Sequence, residues 1–341
     1  MDALPVIDVG PIIDGGADDA VAEVGRQVDA ACRDLGFFVV VGHGVPAERY
    51  RRLVEAARSF FALPEATKGE IAMARAGRAW RGWFPVGGEL TSGVPDGKEG
   101  LYFGAELPPN HPRVRAGTPL HGANLFPAVP ADLQPAVLEH LDAMTALGHS
   151  LMEAVALGLG LERDWFRHTL TTDPTILFRI FHYPPSTFGA SGGDEPPTWG
   201  VAEHTDYGLL TILGQDDHAG LEVRTSSGWL VVPPIPGAFV CNIGDMLDRI
   251  TAGRYRSTPH RVRPPLPGDP GRLSFPFFFD PSWDARVLPL PLDGSPPADD
   301  VATRWDGTSV HAPDVGTYGD YLTGRVAKVF PDLMATPGTA Q

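Results

Sequence analysis

The chain has 341 residues, with 27 Lys and Arg against 42 Asp and Glu and a net charge of −15. A content of 43% hydrophobic and 20% charged residues fits a folded protein rather than a disordered or coiled-coil one. The acidic balance, with no basic block, argues against duplex nucleic acid or an anionic membrane surface as partner and leaves small molecules.

Glycine and proline number 40 and 35, more than a fifth of the chain against about 12% in an average protein, so turns are frequent. Helical spacing of Val21, Val24, Val28, Ala31, Cys32 and Leu35 predicts a helix over 17–35, stopped by Gly36. The β-branched and aromatic run 37–41 predicts a buried strand, closed by Gly42-His43-Gly44. A second helix follows Pro46, with Tyr50, Leu53, Val54, Ala57 and Phe60 on one face. Residues 85–130 read as loops with short strands, and 135–160 as the clearest helix. Beyond it, the runs 177–183, 209–213, 221–223, 229–232, 238–243 and 272–279 alternate with Gly/Pro-rich turns, the pattern of a sandwich or barrel. Residues 318–330 predict a terminal helix, followed by a loose tail from Ala335.

With no repeat and no linker, the expected organisation is one domain, 1–341. It has a mixed helical part over 1–170, a β core over 175–285 that carries the site, and a C-terminal helix and tail over 305–334. Cys32 and Cys241 are too few for a disulfide framework or thiolate zinc site. No basic leader precedes an apolar stretch, and no apolar run approaches the ~20 residues that span a bilayer. The expectation is a soluble cytoplasmic protein.

In HTDYGLLTIL, His204 and Asp206 stand two apart at the start of an expected strand, which would turn both side chains to one face. One or two His-x-Asp/Glu pairs arise by chance at this composition. The other, His140-x-Asp142, falls in a helix, where residues two apart diverge, and is read as solvated helix surface. What distinguishes His204 and Asp206 is His260 in TPHRV, a third ligand on a separate strand. Two imidazoles and a carboxylate on one side of an ion make the facial triad that suits non-haem Fe(II). Downstream, Arg272 and Ser274 share a strand face, a guanidinium and hydroxyl suited to gripping a carboxylate.

These residues, in this order, resemble the iron(II)/2-oxoglutarate-dependent dioxygenases of the isopenicillin N synthase-like family. The resemblance extends over nearly the whole chain, through PVIDV, ACRDLGFFVVVGHGVP, FFALPEATK, HTDYGLLTIL, NIGDMLDRITAGRYRSTPHRV, RLSFPFFFDP and YGDYL. It implies a mainly β fold with flanking helices, a distorted double-stranded β-helix or jelly roll. It also implies Fe(II), 2-oxoglutarate and O2, with His204, Asp206 and His260 on the metal and Arg272 and Ser274 on the distal carboxylate of 2-oxoglutarate. Tyr183 in RIFHYPP matches a family tyrosine that hydrogen-bonds this cosubstrate. Many relatives have Asn where Phe181 stands, a departure that makes that side of the pocket more apolar. The implied activity is oxidative decarboxylation of 2-oxoglutarate coupled to oxidation of a small molecule, by hydroxylation or desaturation.

Strand alternation then places Arg179 and Phe181 with Tyr183, and Pro276, Phe278 and Asp280 with Arg272, around a substrate pocket. Arg179 is a candidate anchor for an acidic substrate group. Arg81, in a Trp80–Phe84 segment that resembles one near the family's site entrance, is a further candidate. His43 and the Asp216-Asp217-His218 run read as turn and solvated loop, and His182 as facing away from the site. Asn242 and Asp245 read as fixing a turn. The rival readings are an isopenicillin N synthase-type oxidase that does not use 2-oxoglutarate, an ethylene- and succinate-forming relative, a zinc hydrolase and a non-catalytic β-helix binding module.

Overall fold

The computed structural model describes residues 3–91, 93–186, 199–292 and 316–329. In chain order the strands are β1 (Val6–Asp8), β2 (Phe37–Val41), β3 (Gly82–Phe84), β4 (Leu90–Thr91), β5 (Val94–Pro95), β6 (Glu99–Gly104) and β7 (Pro174–Tyr183). They continue with β8 (Val201–His204), β9 (Leu210–Gln215), β10 (Leu221–Thr225), β11 (Gly228–Val231), β12 (Phe239–Ile243), β13 (His260–Val262) and β14 (Arg272–Ser282). Eight form a sheet in the order β1-β2-β12-β9-β14-β7-β6-β3, and four a smaller sheet, β11-β10-β13-β8. Every pairing is antiparallel except β1 with β2. The two sheets face each other as the jelly-roll core, with helices against the outside of the larger one.

β14 shows why this sequence builds that core. In RLSFPFFFDPS the odd phenylalanines Phe275, Phe277 and Phe279 are fully buried, while Arg272, Ser274, Pro276, Phe278 and Asp280 line the space between the sheets. Behind the phenylalanines lies the helix Leu133–Gly158, close enough that a Cβ on Gly148 would come within 2.4 Å of the Phe279 ring. Apolar positions 133, 136, 137, 141, 144, 147 and 151 form the helix's inner face, and position 140 falls on it. His140 is therefore 1% exposed, packed 4.8 Å from the Phe178 ring, and not solvated surface. Neither of its ring nitrogens has a hydrogen-bond partner, and burial pulls its pKa down to about 3.

The expected helices are present as Asp18–Asp34, Ala47–Phe61, Leu133–Gly158 and Tyr318–Val329. Position 330 and the tail lie outside the described residues. The N-terminal part does not stand apart: β1 and β2 extend the large sheet beyond β12, and β3 and β6 extend it beyond β7. Among the described residues no helix is long and apolar enough to cross a membrane, and Cys32 and Cys241 are buried and free.

Candidate metal centre and its cavity

His204 closes β8 and His260 opens β13, and the two are directly paired in the antiparallel register, their rings 4.2 Å apart. Asp206 does not share a strand with His204. It sits in the turn between β8 and β9, whose backbone is pinned by the Asp245 amide donating to the Asp206 carbonyl at 2.7 Å. That turn tolerates no side chain at Gly208, where a Cβ would fall 1.6 Å from Asp280 Oδ1. Asp206 Oδ1 lies 3.8 Å from Nε2 of both histidines, and the three ligand atoms lie within 4.8 Å of one another.

The outer atoms of this triad are fixed. His204 Nδ1–H donates to the Ala202 carbonyl at 2.9 Å and His260 Nδ1–H to the Thr258 carbonyl at 3.2 Å, which leaves both Nε2 lone pairs facing inward. Asp206 Oδ2 accepts from Thr211 Oγ1 at 2.6 Å and Asn242 Nδ2 at 2.7 Å, which leaves Oδ1 for a metal. Burial acts to raise the Asp206 pKa, but His260, His204 and these two hydrogen bonds outweigh it and keep the carboxyl ionised. Burial and the neighbouring His204 pull His260 down to about 4, so its imidazole is neutral. Convergent N, N and O donors with tethered outer atoms suit a ferrous ion. Asn242 thus orients the Asp206 carboxylate; it was expected only to fix a turn.

Arg272 opposes Tyr183 across β14 and β7 and is completely buried. Its back edge is tied, with Nε donating to the His218 carbonyl at 3.2 Å and Nη2 to Gln215 Oε1 at 3.1 Å. Nη1 is buried and, among the described residues, has no partner. A guanidinium N–H in that state awaits an anion, because leaving it unmet costs roughly 1–3 kcal/mol or more. The Tyr183 hydroxyl, whose pKa burial raises, and Ser274 Oγ lie 3.2 Å apart beside it. The 216–218 run, expected as a solvated loop, instead braces this corner. Asp216 is buried and accepts from the Leu273 amide at 2.8 Å and the His218 amide at 3.0 Å. Its three side chains form a second cluster within 4.8 Å, but these bonds occupy Asp216, and exposed Asp217 pairs with Arg58 at 3.0 Å.

Both groups open into one cavity of about 430 Å³ between the sheets. Arg179, Phe181, Phe278 and Asp280 line it, as strand alternation requires, and burial pushes the Asp280 pKa up to about 7. Arg81 does not line it. That side chain is buried behind Gly104, with Nη2 donating to the Leu120 carbonyl at 2.7 Å, and burial pulls its pKa down to about 10. His182 also faces away, bonded to Glu99 at 2.9 Å, and His43 fixes its own turn through the Val45 amide at 3.1 Å.

The sequence reading missed a buried charged wall. Lys98 pairs with Asp96 and, at 2.8 Å, with Glu89, which also accepts from the Tyr102 hydroxyl. Burial opposes ionisation of both Glu89 and Lys98, but Lys98 and Arg179 keep Glu89 anionic, and Glu89 and Asp96 keep Lys98 cationic. Also missed were the orienting residues Thr211 and Gln215 in β9 and Asn242 in β12, whose available signal was a polar residue inside an otherwise apolar strand.

Residues 4–129 match the family described as non-haem dioxygenase in morphine synthesis N-terminal, and 174–281 match the 2OG-Fe(II) oxygenase superfamily. A probable iron/ascorbate oxidoreductase of Dictyostelium discoideum is 45% identical, over 98% of this chain and 96% of that one. A homoarginine-6-hydroxylase of Glycine max is 35% identical, over 97% and 98%. The crystal structure of a full-length Neurospora crassa protein in complex with alpha-KG and 5-formyluracil aligns with a TM-score of 0.77 at 26% identity, covering 95% of this chain and 96% of that one.

Proposed function

The chain belongs to the 2OG-Fe(II) oxygenase superfamily, and we propose that His204, Asp206 and His260 hold its ferrous iron while Arg272, Ser274 and Tyr183 hold 2-oxoglutarate. In this family Fe(II), 2-oxoglutarate and O2 serve the oxidation of small molecules. Bound iron supplies oxidative decarboxylation of 2-oxoglutarate to succinate and CO2, coupled to hydroxylation or desaturation of a substrate.

The observation that carries the assignment is the buried, partnerless Nη1 of Arg272 in the cavity that also receives Oδ1 and both Nε2 atoms. In this reading Arg272 binds a carboxylate and the Gln215 and His218 bonds aim it. Tyr183 and Ser274 add hydroxyl donors, and the phenylalanines of the cavity exclude water. Thr211 and Asn242 hold Asp206 so that one oxygen always faces the ion. The acidic net charge supports a small-molecule partner rather than nucleic acid or membrane, and the two free cysteines agree with a reducing, cytoplasmic setting.

Anaerobic equilibrium dialysis against Fe(II) tests the ligand set. The wild type should bind one equivalent, and His204→Ala, Asp206→Ala and His260→Ala should each lose it with far-UV circular dichroism unchanged. Equal iron binding by any of these variants would remove that residue from the set. Arg272→Gln should keep iron and lose 2-oxoglutarate binding; undiminished binding would contradict its role.

A further inference from the structure

Beyond the iron and cosubstrate positions, the cavity holds two more guanidiniums. Arg179 comes from β7 and Arg325 from the helix Tyr318–Val329, and both line the cavity. The Arg179 side chain is four-fifths buried, yet among the described residues it makes no hydrogen bond. Its nearest carboxylate oxygen, Glu89 Oε1, is 3.8 Å away and already accepts from Tyr102. What holds it is stacking: its Cζ lies 4.1 Å from the Tyr102 ring centre and 5.0 Å from that of Phe278. The side chain is fixed in position while its N–H donors are unused.

Arg325 is stacked as well, but it also has polar partners, Asp245 and the Tyr321 hydroxyl. It is bonded through Nη2 to Asp245 Oδ2 at 3.4 Å and lies 5.3 Å from the ring centres of both Tyr207 and Tyr321. Tyr207, against whose ring Arg325 lies, lines the same cavity as Arg179.

We propose that Arg179 and Arg325 form a clamp for a carboxylate on the substrate, so that this oxygenase acts on small monocarboxylic acids with an apolar body. The proposal rests on the reading above, which assigns Arg272 and its end of the cavity to 2-oxoglutarate. The planar fork of Arg179, with its N–H donors unused, matches a carboxylate bidentately, and the nearby charge of Arg325 would add to the attraction. The body of such an acid would lie against Phe181, Phe278 and Leu177. Glu89, 3.8 Å from Arg179, would repel the second charge of a phosphate dianion. The substrate's charge would also bridge the core to the C-terminal helix, giving that helix a part in selection.

Isothermal titration of the iron-loaded protein, saturated with 2-oxoglutarate under anaerobic conditions, tests this with matched pairs of acids and primary amides. Suitable pairs are hexanoate with hexanamide and 3-phenylpropionate with 3-phenylpropionamide, extended to α-amino acids and their amides. At least one acid should bind roughly tenfold or more tightly than its amide. Arg179→Gln and Arg325→Gln should each erase that preference, and Arg179→Lys should restore part of it. Amides binding as well as acids across the panel would overturn the clamp, as would an acid preference that survives both Gln variants with unchanged melting temperatures. The affinity for 2-oxoglutarate, read in the same titrations, should be the same in both Gln variants. Loss of 2-oxoglutarate binding in the wild type would strike the assignment of Arg272 instead, and the acid preference would still be read in its absence.

Discussion

Of the three proposed ligands Asp206 has the most support around it, since one oxygen is held by Thr211 and Asn242 and the backbone by the Asp245 amide. Removing the amide donor in Asn242→Leu leaves a buried carboxylate oxygen short of a partner and free to rotate. Iron affinity, measured by competition with a chelator, should fall ~10–100-fold with the fold intact. A smaller effect is expected one step from Arg272: Gln215→Leu removes one of the two bonds on its back edge. The KM for 2-oxoglutarate should rise roughly tenfold while kcat stays within about twofold, the pattern of lost uniform binding. At this scale the sequence was most informative where chemistry is carried by side-chain identity: His204, Asp206, His260, Arg272, Ser274 and Tyr183 stand at one cavity, as their motifs implied. It failed where a residue's task depends on a distant neighbour. Nothing local says that Asn242 reaches Asp206, or that Arg81 turns to the Leu120 carbonyl instead of the cavity.

Among the elements, the helix Leu133–Gly158 supports the sheet that carries the site, and its fit against β14 is close. Gly148→Ala would drive a methyl into the Phe279 ring, which cannot move without shifting the strand that bears Phe278 and Asp280. A loss of about 1–3 kcal/mol is expected, seen as a melting temperature several degrees lower. On the same helix, His140 is neutral when folded, with its pKa depressed from 6.5 to about 3. The unfolded chain takes up a proton there first, so its contribution is complete above about pH 6.5 and is lost as pH falls toward 3, by ~1.4 kcal/mol per unit. His140→Leu should therefore shift the midpoint of acid unfolding to lower pH; an unchanged midpoint would show that other groups dominate. Strands were legible by alternation, but their ends were not. β9 and β14 run on to Gln215 and Ser282 because partners continue to pair with them through polar positions. β8 and β13 are too short and polar to stand out, although they carry two of the three proposed ligands.

For the molecule as a whole, the eight-stranded sheet joins what the sequence divided into a mixed N-terminal part and a β core. β12, which carries Asn242, hydrogen-bonds on one side to β9 and on the other to β2 from the N-terminal part. Deleting β1 and β2 would expose that edge and its apolar face, so iron binding and structure should be lost together, and far- and near-UV circular dichroism of the intact chain should report one coincident transition. Two separated transitions would mean that the N-terminal part folds apart from the site. Turn-rich composition pointed toward such a β architecture, while the long-range order of its strands is not a property of any local segment.

The central claim, that this site couples 2-oxoglutarate to the oxidation of a small molecule, is tested most directly by following O2 uptake and succinate release together in the iron-loaded protein supplied with a carboxylate panel. The account predicts equal amounts of the two, dependent on Fe(II), stimulated by at least one acid and abolished in His204→Ala. Oxygen uptake without succinate, or neither from well-folded iron-loaded protein across the panel, would contradict it.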